Sequence, residues 1–169
     1  MNILANFLGR HTRPQASGTT TPDTPEHGIS YDAELVRDLV ADHHKLAAYR
    51  NRIEAVLANG QLMEIPAILA EWKLALQAHI MVENVRFYTY LQQHLADDAD
   101  VSAFLSDLRH EMDGIARTLV RFANTYSRVD TIVEAGTARF HADFTEMTAR
   151  LGKRLQVEES RLYTLYIRY

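Results

Sequence analysis

The sequence predicts an all-α fold, an up-down-up-down antiparallel four-helix bundle that follows a flexible N-terminal segment. From residue 31 onward, apolar residues recur at the three- and four-residue spacing of amphipathic helices, and Gly and Pro fall at segment boundaries. The predicted helices are long and the first two connections are short, which favours antiparallel neighbours. A chain of 169 residues is long enough for one domain with a substantial core.

Residues 1–30 are predicted to precede the bundle, which is assigned to residues 31–169. Residues 11–30 contain three of the four prolines together with many Ser and Thr, a composition that cannot bury a core. We therefore expect a flexible tether there. It follows a short amphipathic start whose apolar residues are Ile3, Leu4, Phe7 and Leu8.

The first two predicted helices have clear boundary signals. Helix 1 is predicted over residues 32–58 and ends at Asn59-Gly60, where glycine suits the left-handed position after a helix. Helix 2 is predicted from near Pro66, since proline is favoured in the first turn, to about Ala96.

The last two helices have weaker boundaries. The acidic run 97–100 supplies an N-cap for helix 3, which is predicted to end near Tyr126. Helix 4 is predicted to start between Asp130 and Thr137 and to continue to the C-terminus.

Composition excludes several classes of function. The formal net charge of −4 lacks the positive field that nucleic acid or an anionic lipid surface needs, so neither is predicted as a partner. The absence of cysteine removes disulfides, thiolate metal sites and thiol catalysis. The longest apolar stretch, residues 65–82, is interrupted by Glu71 and Lys73, so no membrane span is predicted and a cytoplasmic protein is expected. No phosphate-binding, dinucleotide or nucleophile motif occurs, and an enzyme is not predicted.

Four polar residues fall on the predicted buried stripes of the helices: His43, His79, Glu83 and Glu158. An ionised carboxylate in the interior loses hydration worth several kcal/mol, so Glu83 and Glu158 must be paired, protonated or bound to a cation. His79 and Glu83 are four residues apart, which lets both ligate one ion. Two imidazoles and two carboxylates suit iron, manganese or zinc.

A metal-free alternative remains open at this point. Arg154 can neutralise Glu158 while the two histidines donate to the other carboxylate oxygens, which gives a closed polar network that fixes the packing. His44 is predicted to face solvent or a helix flank, and it exchanges roles with His43 if the helix register differs by one residue. His110 is predicted to be exposed, and both histidines are kept as alternative ligands. The C-terminal tyrosines, including Tyr163, are predicted to pack or cap.

Four sequence segments carry a family resemblance: "LVADHHKL", "LQAHIMVE", "HEMDGIARTL" and "RLQVEESRLY". On these, residues 31–166 resemble the hemerythrin-like family, also called HHE cation-binding domains. In that family, histidines from all four helices and two carboxylates hold a pair of irons. The resemblance implies that His43, His79, Glu83 and Glu158 are metal ligands.

Two positions depart from the family pattern. The histidine of helix 3 is replaced by Met112, and the histidine four residues before Glu158 is replaced by Arg154. The missing histidines belong to one iron, so the resemblance implies a half-site with a single ion. The guanidinium of Arg154 can stand where the second iron would be, because it forms forked hydrogen bonds with carboxylates.

Two functions follow as hypotheses. The first is a protein with a mononuclear or degenerate site that senses or holds iron, or responds to oxygen species, with manganese or zinc as other candidate metals. The second is a metal-free regulatory bundle that binds a protein partner such as a bacterial sigma factor. The sequence does not predict an oligomeric state.

Overall fold

The computed structural model describes residues 28–168, which are mostly helical and contain no strand. The predicted amphipathic start and all but the end of the predicted tether therefore lie outside the described residues. The helices are α1 (Leu35–Ala58), α2 (Ile65–Val82, continued by Glu83–Tyr88 and Thr89–Leu95), α3 (Ala99–Thr125), α4 (Val129–Ala135) and α5 (Thr137–Val157, continued by Glu158–Leu162 and Tyr163–Tyr166). A 3₁₀ turn, Leu62–Glu64, precedes α2.

The end of α1 follows from the predicted glycine signal. Gly60 has φ +70°, and the backbone N–H of Gln61 donates to the Val56 carbonyl at 2.8 Å, while Gly60 N–H donates to Leu57 at 3.1 Å. This pair of bonds is a Schellman motif, which satisfies carbonyls that the helix end leaves free. The start of α1 lies three residues later than predicted.

The acidic cap of α3 and the break before α5 are also observed. The Asp98 carboxylate accepts hydrogen bonds from the backbone N–H groups of Asp100 and Val101, each at 3.1 Å. Gly136, with φ +83°, separates the short α4 from α5, since this left-handed conformation favours glycine. Helix 4 of the prediction is thus α5, which begins at Thr137.

The stretch Leu62–Leu95 is long and apolar enough to cross a membrane by length and composition alone, with a mean hydropathy of 1.2 over its best window. A core helix meets the same criterion. This one packs against α1 and α3 and buries Leu69, Trp72 and Leu76.

The four long helices contact one another in a ring, α1 to α2 to α3 to α5 and back to α1. Their inward side chains form two apolar clusters, one around Trp72 and Phe144 and one around Phe87 and Tyr166. On α1, α2 and α5, the buried polar residues lie between the stretches that feed these clusters. The core is therefore divided by a polar layer, formed by His43, His79, Glu83, Arg154 and Glu158.

Candidate metal centre

Three helices bring three donor side chains together in the polar layer. His43 of α1, His79 of α2 and Glu158 of α5 are 3%, 1% and 0% exposed, and one ligand atom from each lies within 4.8 Å of the others. His43 Nε2 is 3.2 Å from Glu158 Oε2. The two imidazole rings meet edge to face, with centroids 4.8 Å apart.

Both buried glutamates begin a π-helical stretch, in which the hydrogen bonds span five residues. The first stretch is Glu83–Tyr88 in α2 and the second is Glu158–Leu162 in α5. In α5, the backbone N–H of Tyr163 donates to the Glu158 carbonyl. Such insertions are rare and are frequent at functional sites, so their coincidence with both carboxylates marks this layer.

His43 is held from both ring nitrogens. Its Nδ1 lies 2.7 Å from Glu159 Oε1, and its Nε2 lies 3.0 Å from the Tyr163 hydroxyl. Burial alone would lower the pKa of His43, but the adjacent carboxylates of Glu158 and Glu159 outweigh burial and raise it. A carboxylate on the outer nitrogen fixes the ring so that the inner nitrogen faces the cluster, as in many metal-ligating histidines.

His79 is buried without a hydrogen bond. Neither ring nitrogen has a partner among the described residues, and the nearest acid, Asp42, is 4.0 Å from Nδ1. Burial, reinforced by the neighbouring His43, lowers the pKa of His79 to about 4. The ring is therefore neutral at pH 7, with a lone pair available to a cation.

Arg154 lies in the polar layer next to Glu158, at the position where the family resemblance predicts a guanidinium in place of a histidine. It is 2% exposed; its Nη1 is 2.9 Å from Glu158 Oε1, and its Nη2 donates to the Tyr88 hydroxyl at 2.9 Å. Although these charges are close, their geometry is not that of a hydrogen bond. Both Glu158 oxygens lack a hydrogen-bond donor within the described part of the chain.

Glu83 lies beside the cluster and is not one of its three members. It is 1% exposed, and its Oε1 accepts a long hydrogen bond of 3.5 Å from Tyr163. Burial, followed by repulsion from Glu158, raises the pKa of Glu83 well above its ordinary value. Ligation of one ion by His79 and Glu83 together stays a prediction, and the Glu83 carboxyl lies against the Tyr163 hydroxyl.

The remaining predicted positions lie away from the donors. Met112 is 2% exposed and belongs to the apolar cluster around Trp72. His44 and His110 are exposed, and the structure does not bring them to the cluster. Each helical residue turns the side chain by about 100°, so His44 faces outward because His43 faces inward.

Sequence reasoning missed two residues that contact the cluster, Tyr163 and Glu159. Tyr163 lies five residues after Glu158, about 140° away in a regular α-helix, and only the π turn brings it round. The signal was present as a repeated spacing: a glutamate is followed by a tyrosine five residues later in both α2 and α5. Glu159 gave no such signal, because its role depends on how α1 packs against α5.

The cluster fits a metal ion. Donors at about 2.0–2.2 Å from one tetrahedral ion stand about 3.3–3.6 Å apart. The three donor atoms, which lie within 4.8 Å of one another, would therefore move together by no more than about 1–1.5 Å to bind it. Two imidazoles, which bind metals in their neutral form, and a carboxylate are a donor set for iron, manganese or zinc. A cation would also provide the partner that both ring nitrogens of His79 lack among the described residues.

A buried group of imidazole and carboxylate donors in an all-helical core is the arrangement that a cation-binding helical domain requires. The Hemerythrin HHE cation binding domain family matches residues 34–166, and the chain belongs to that family. No curated protein and no solved structure matches the chain.

Proposed function

We propose that this protein binds a single metal ion, preferentially iron, through His43, His79 and Glu158, and that it holds or senses iron or responds to oxygen species. The observation that carries the proposal is His79, which is 1% exposed with both ring nitrogens unpaired among the described residues. An unpaired buried polar group costs about 1–3 kcal/mol, which a coordinated ion would offset. A closed, metal-free network would have paired this ring.

Arg154 supports one ion rather than two. Its guanidinium already places a fixed positive charge 2.9 Å from one Glu158 oxygen, where a second cation would be repelled. Met112 contributes no donor at the other position where the family has a histidine. Within the proposal, α1, α2, α3 and α5 form the family's up-down-up-down bundle, which the short connections 59–61 and 96–98 support.

The burial of the cluster favours holding an ion over turning over a substrate. All three donors are 3% exposed or less, so a substrate would have no direct approach to them. We therefore propose a binding site and not a catalytic one.

Elemental analysis of protein purified without chelator, together with its absorption spectrum, tests the proposal. We expect about one metal ion per chain in the wild type, loss of the ion in His79→Ala, and retention in His44→Ala. His44 is the matched control because it is an exposed histidine next to the buried His43 on α1. Absence of metal from the wild type, or equal occupancy in His79→Ala, would contradict the proposal.

The half-site has its own test. Replacing Met112 and Arg154 together with histidine restores the family's ligand positions and removes the guanidinium, so we expect iron to rise toward two ions per chain. Each single substitution should leave one ion. A double variant that holds no more iron than the wild type would contradict the half-site.

One observation favours a second candidate, a regulatory bundle that binds a protein partner such as a bacterial sigma factor. The outer face of α2 exposes Leu74, Met81 and Val85, at 64%, 61% and 56%, and the exposed residues between Leu74 and Val85 carry no charge. An uncharged row of this kind suits an apolar partner surface. Co-elution of purified metal-free protein with the sigma factor tests this function, and separate elution would contradict it.

A further inference from the structure

The hydroxyl of Tyr163 lies in the donor cluster. Its Oη is 3.0 Å from His43 Nε2, the side of the imidazole that also faces Glu158. The tyrosine and His43 rings stack at 5.6 Å with an interplanar angle of 25°, and Tyr163 is 2% exposed. The phenol is therefore fixed on the inner side of the site.

The backbone of α5 holds it there. The N–H of Tyr163 donates to the Glu158 carbonyl across five residues, so that the tyrosine follows the glutamate one π turn later and on the same side of the helix. The equivalent turn in α2 places Tyr88 on Arg154, away from the histidines. The tyrosine that follows the π turn therefore contacts Arg154 in α2 and His43 in α5.

The distances around His43 Nε2 match the spacing of adjacent ligands on one ion. Two donors at about 2.0–2.1 Å from a metal, about 90–110° apart, are separated by about 2.9–3.4 Å. The oxygens of Tyr163 and Glu158 stand 3.0 and 3.2 Å from this nitrogen. Both oxygens therefore have the position of a neighbouring ligand.

We propose that Tyr163 is a fourth protein ligand, bound as a phenolate, and that the site consequently prefers ferric iron. This inference rests on the proposed function. When the metal enters, the phenol O–H bond breaks, its proton passes to solvent, and the oxygen forms a bond to the ion without any change in oxidation state. An anionic oxygen donor stabilises the harder, more highly charged ion.

The phenolate also balances charge in the buried layer. Glu158 offsets only one positive charge, and Arg154 already lies 2.9 Å from it. A second anionic oxygen reduces the excess positive charge that a di- or trivalent ion would bring into a dry interior.

Iron loading distinguishes this ligand from a tyrosine that only orients His43. The wild type and two variants are mixed with Fe²⁺ under argon, exposed to air, and analysed for iron content and visible absorption, with a zinc-loaded sample as a colourless control. We expect a phenolate-to-ferric charge-transfer band in the wild type and in Tyr88→Phe, with tyrosinate ring modes in the resonance Raman spectrum. Tyr163→Phe should lose the band while it keeps iron.

The outcomes separate this inference from the function on which it rests. A wild type that binds iron without the band, or a Tyr163→Phe protein that keeps the band, overturns the tyrosine ligand and leaves metal binding intact. A wild type that binds no iron overturns both. If Tyr163→Phe does not fold, tyrosinate modes in the wild type that persist in Tyr88→Phe still support the assignment, and their absence from the wild type overturns it.

Discussion

The π turns of α2 and α5 use the same sequence spacing and produce different halves of the polar layer. In α2, the residue four positions before the glutamate is His79, and in α5 it is Arg154. His79 has no hydrogen bond within residues 28–168, whereas Arg154 reaches Glu158 and a tyrosine from the opposite helix. In the α5 half of the layer, the guanidinium of Arg154 supplies a permanent positive charge. In the α2 half, His79 offers ring nitrogens that no cation or hydrogen-bond partner occupies among the described residues. Under the proposed function, Arg154 and Met112 would leave a one-ion site where the family holds two, and a π turn follows the glutamate in both helices.

The largest expected effect comes from replacing the glutamate that begins each π turn with glutamine. Glu158→Gln removes a donor and leaves Arg154 buried without its counter-ion, so we expect loss of the metal and about 3–5 kcal/mol of destabilisation in the metal-free protein. Burial raises the pKa of Glu83 well above its ordinary value, so Glu83→Gln should cost less than about 1.5 kcal/mol and retain the metal. Urea unfolding in chelator and elemental analysis measure both effects.

Equal losses in the two variants would contradict this asymmetry. Loss of metal from Glu83→Gln in particular would make Glu83 a ligand, as the family resemblance implies.

The sequence could predict the burial of the polar residues because helical periodicity alone places them. His43, His79, Glu83 and Glu158 were each assigned to an inward stripe, and each is at most 3% exposed. The end of α1 and the cap of α3 were predictable for a similar reason, since they depend on local backbone chemistry.

The relative placement of the donors was not predictable in the same way. In a regular α-helix, the fourth residue after a glutamate lies on the same face, whereas after a π turn the fifth residue does. A sequence analysis that assumes 3.6 residues per turn does not detect this shift. Tyr163 was therefore assigned to packing or capping, and its hydrogen bond to Glu83 could not be foreseen. Both facts depend on contacts between helices that are far apart in sequence.

A pH dependence of the metal-free protein is the next effect in size. The pKa of His79 is about 4 in the folded protein and about 6.5 in the unfolded chain, so the unfolded chain binds a proton between these values while the folded protein does not. Stability should therefore fall by about 3 kcal/mol as the pH decreases from 6.5 to 4. His43 acts in the opposite direction: its raised pKa contributes stability that is complete below pH 6.5 and is lost as the pH rises through the folded value.

Urea unfolding in chelator across this range measures the loss, and His79→Gln is the comparator. The variant should lose less stability toward pH 4, because glutamine does not titrate. An identical acid dependence in both proteins would show that the unpaired ring of His79 does not control it.

The tyrosine of the α2 turn should have a smaller effect. Tyr88→Phe removes the buried oxygen that accepts from Arg154 Nη2 at 2.9 Å, and hydrogen bonds to charged groups contribute about 1.5–3 kcal/mol. Tyr90→Phe is the matched control, since its side chain is about as buried as that of Tyr88 and does not contact Arg154 through a hydrogen bond. Thermal or urea unfolding of the metal-free proteins distinguishes the two, and equal stabilities would show that Arg154 does not depend on Tyr88.

The smallest effect on stability is expected on the outer face of α2, and there the two candidate functions separate. Leu74 is 64% exposed, so Leu74→Glu should change the free energy of unfolding by no more than about 0.5 kcal/mol and leave metal content unchanged. If this face binds a partner, the new charge should abolish co-elution with the sigma factor, while His79→Ala preserves co-elution and loses the metal. The inner and outer faces of one helix would then serve independent functions. If Leu74→Glu has no effect on co-elution, the apolar row does not bind the partner, and the proposed function of the helix rests on its buried face, where His79 lies.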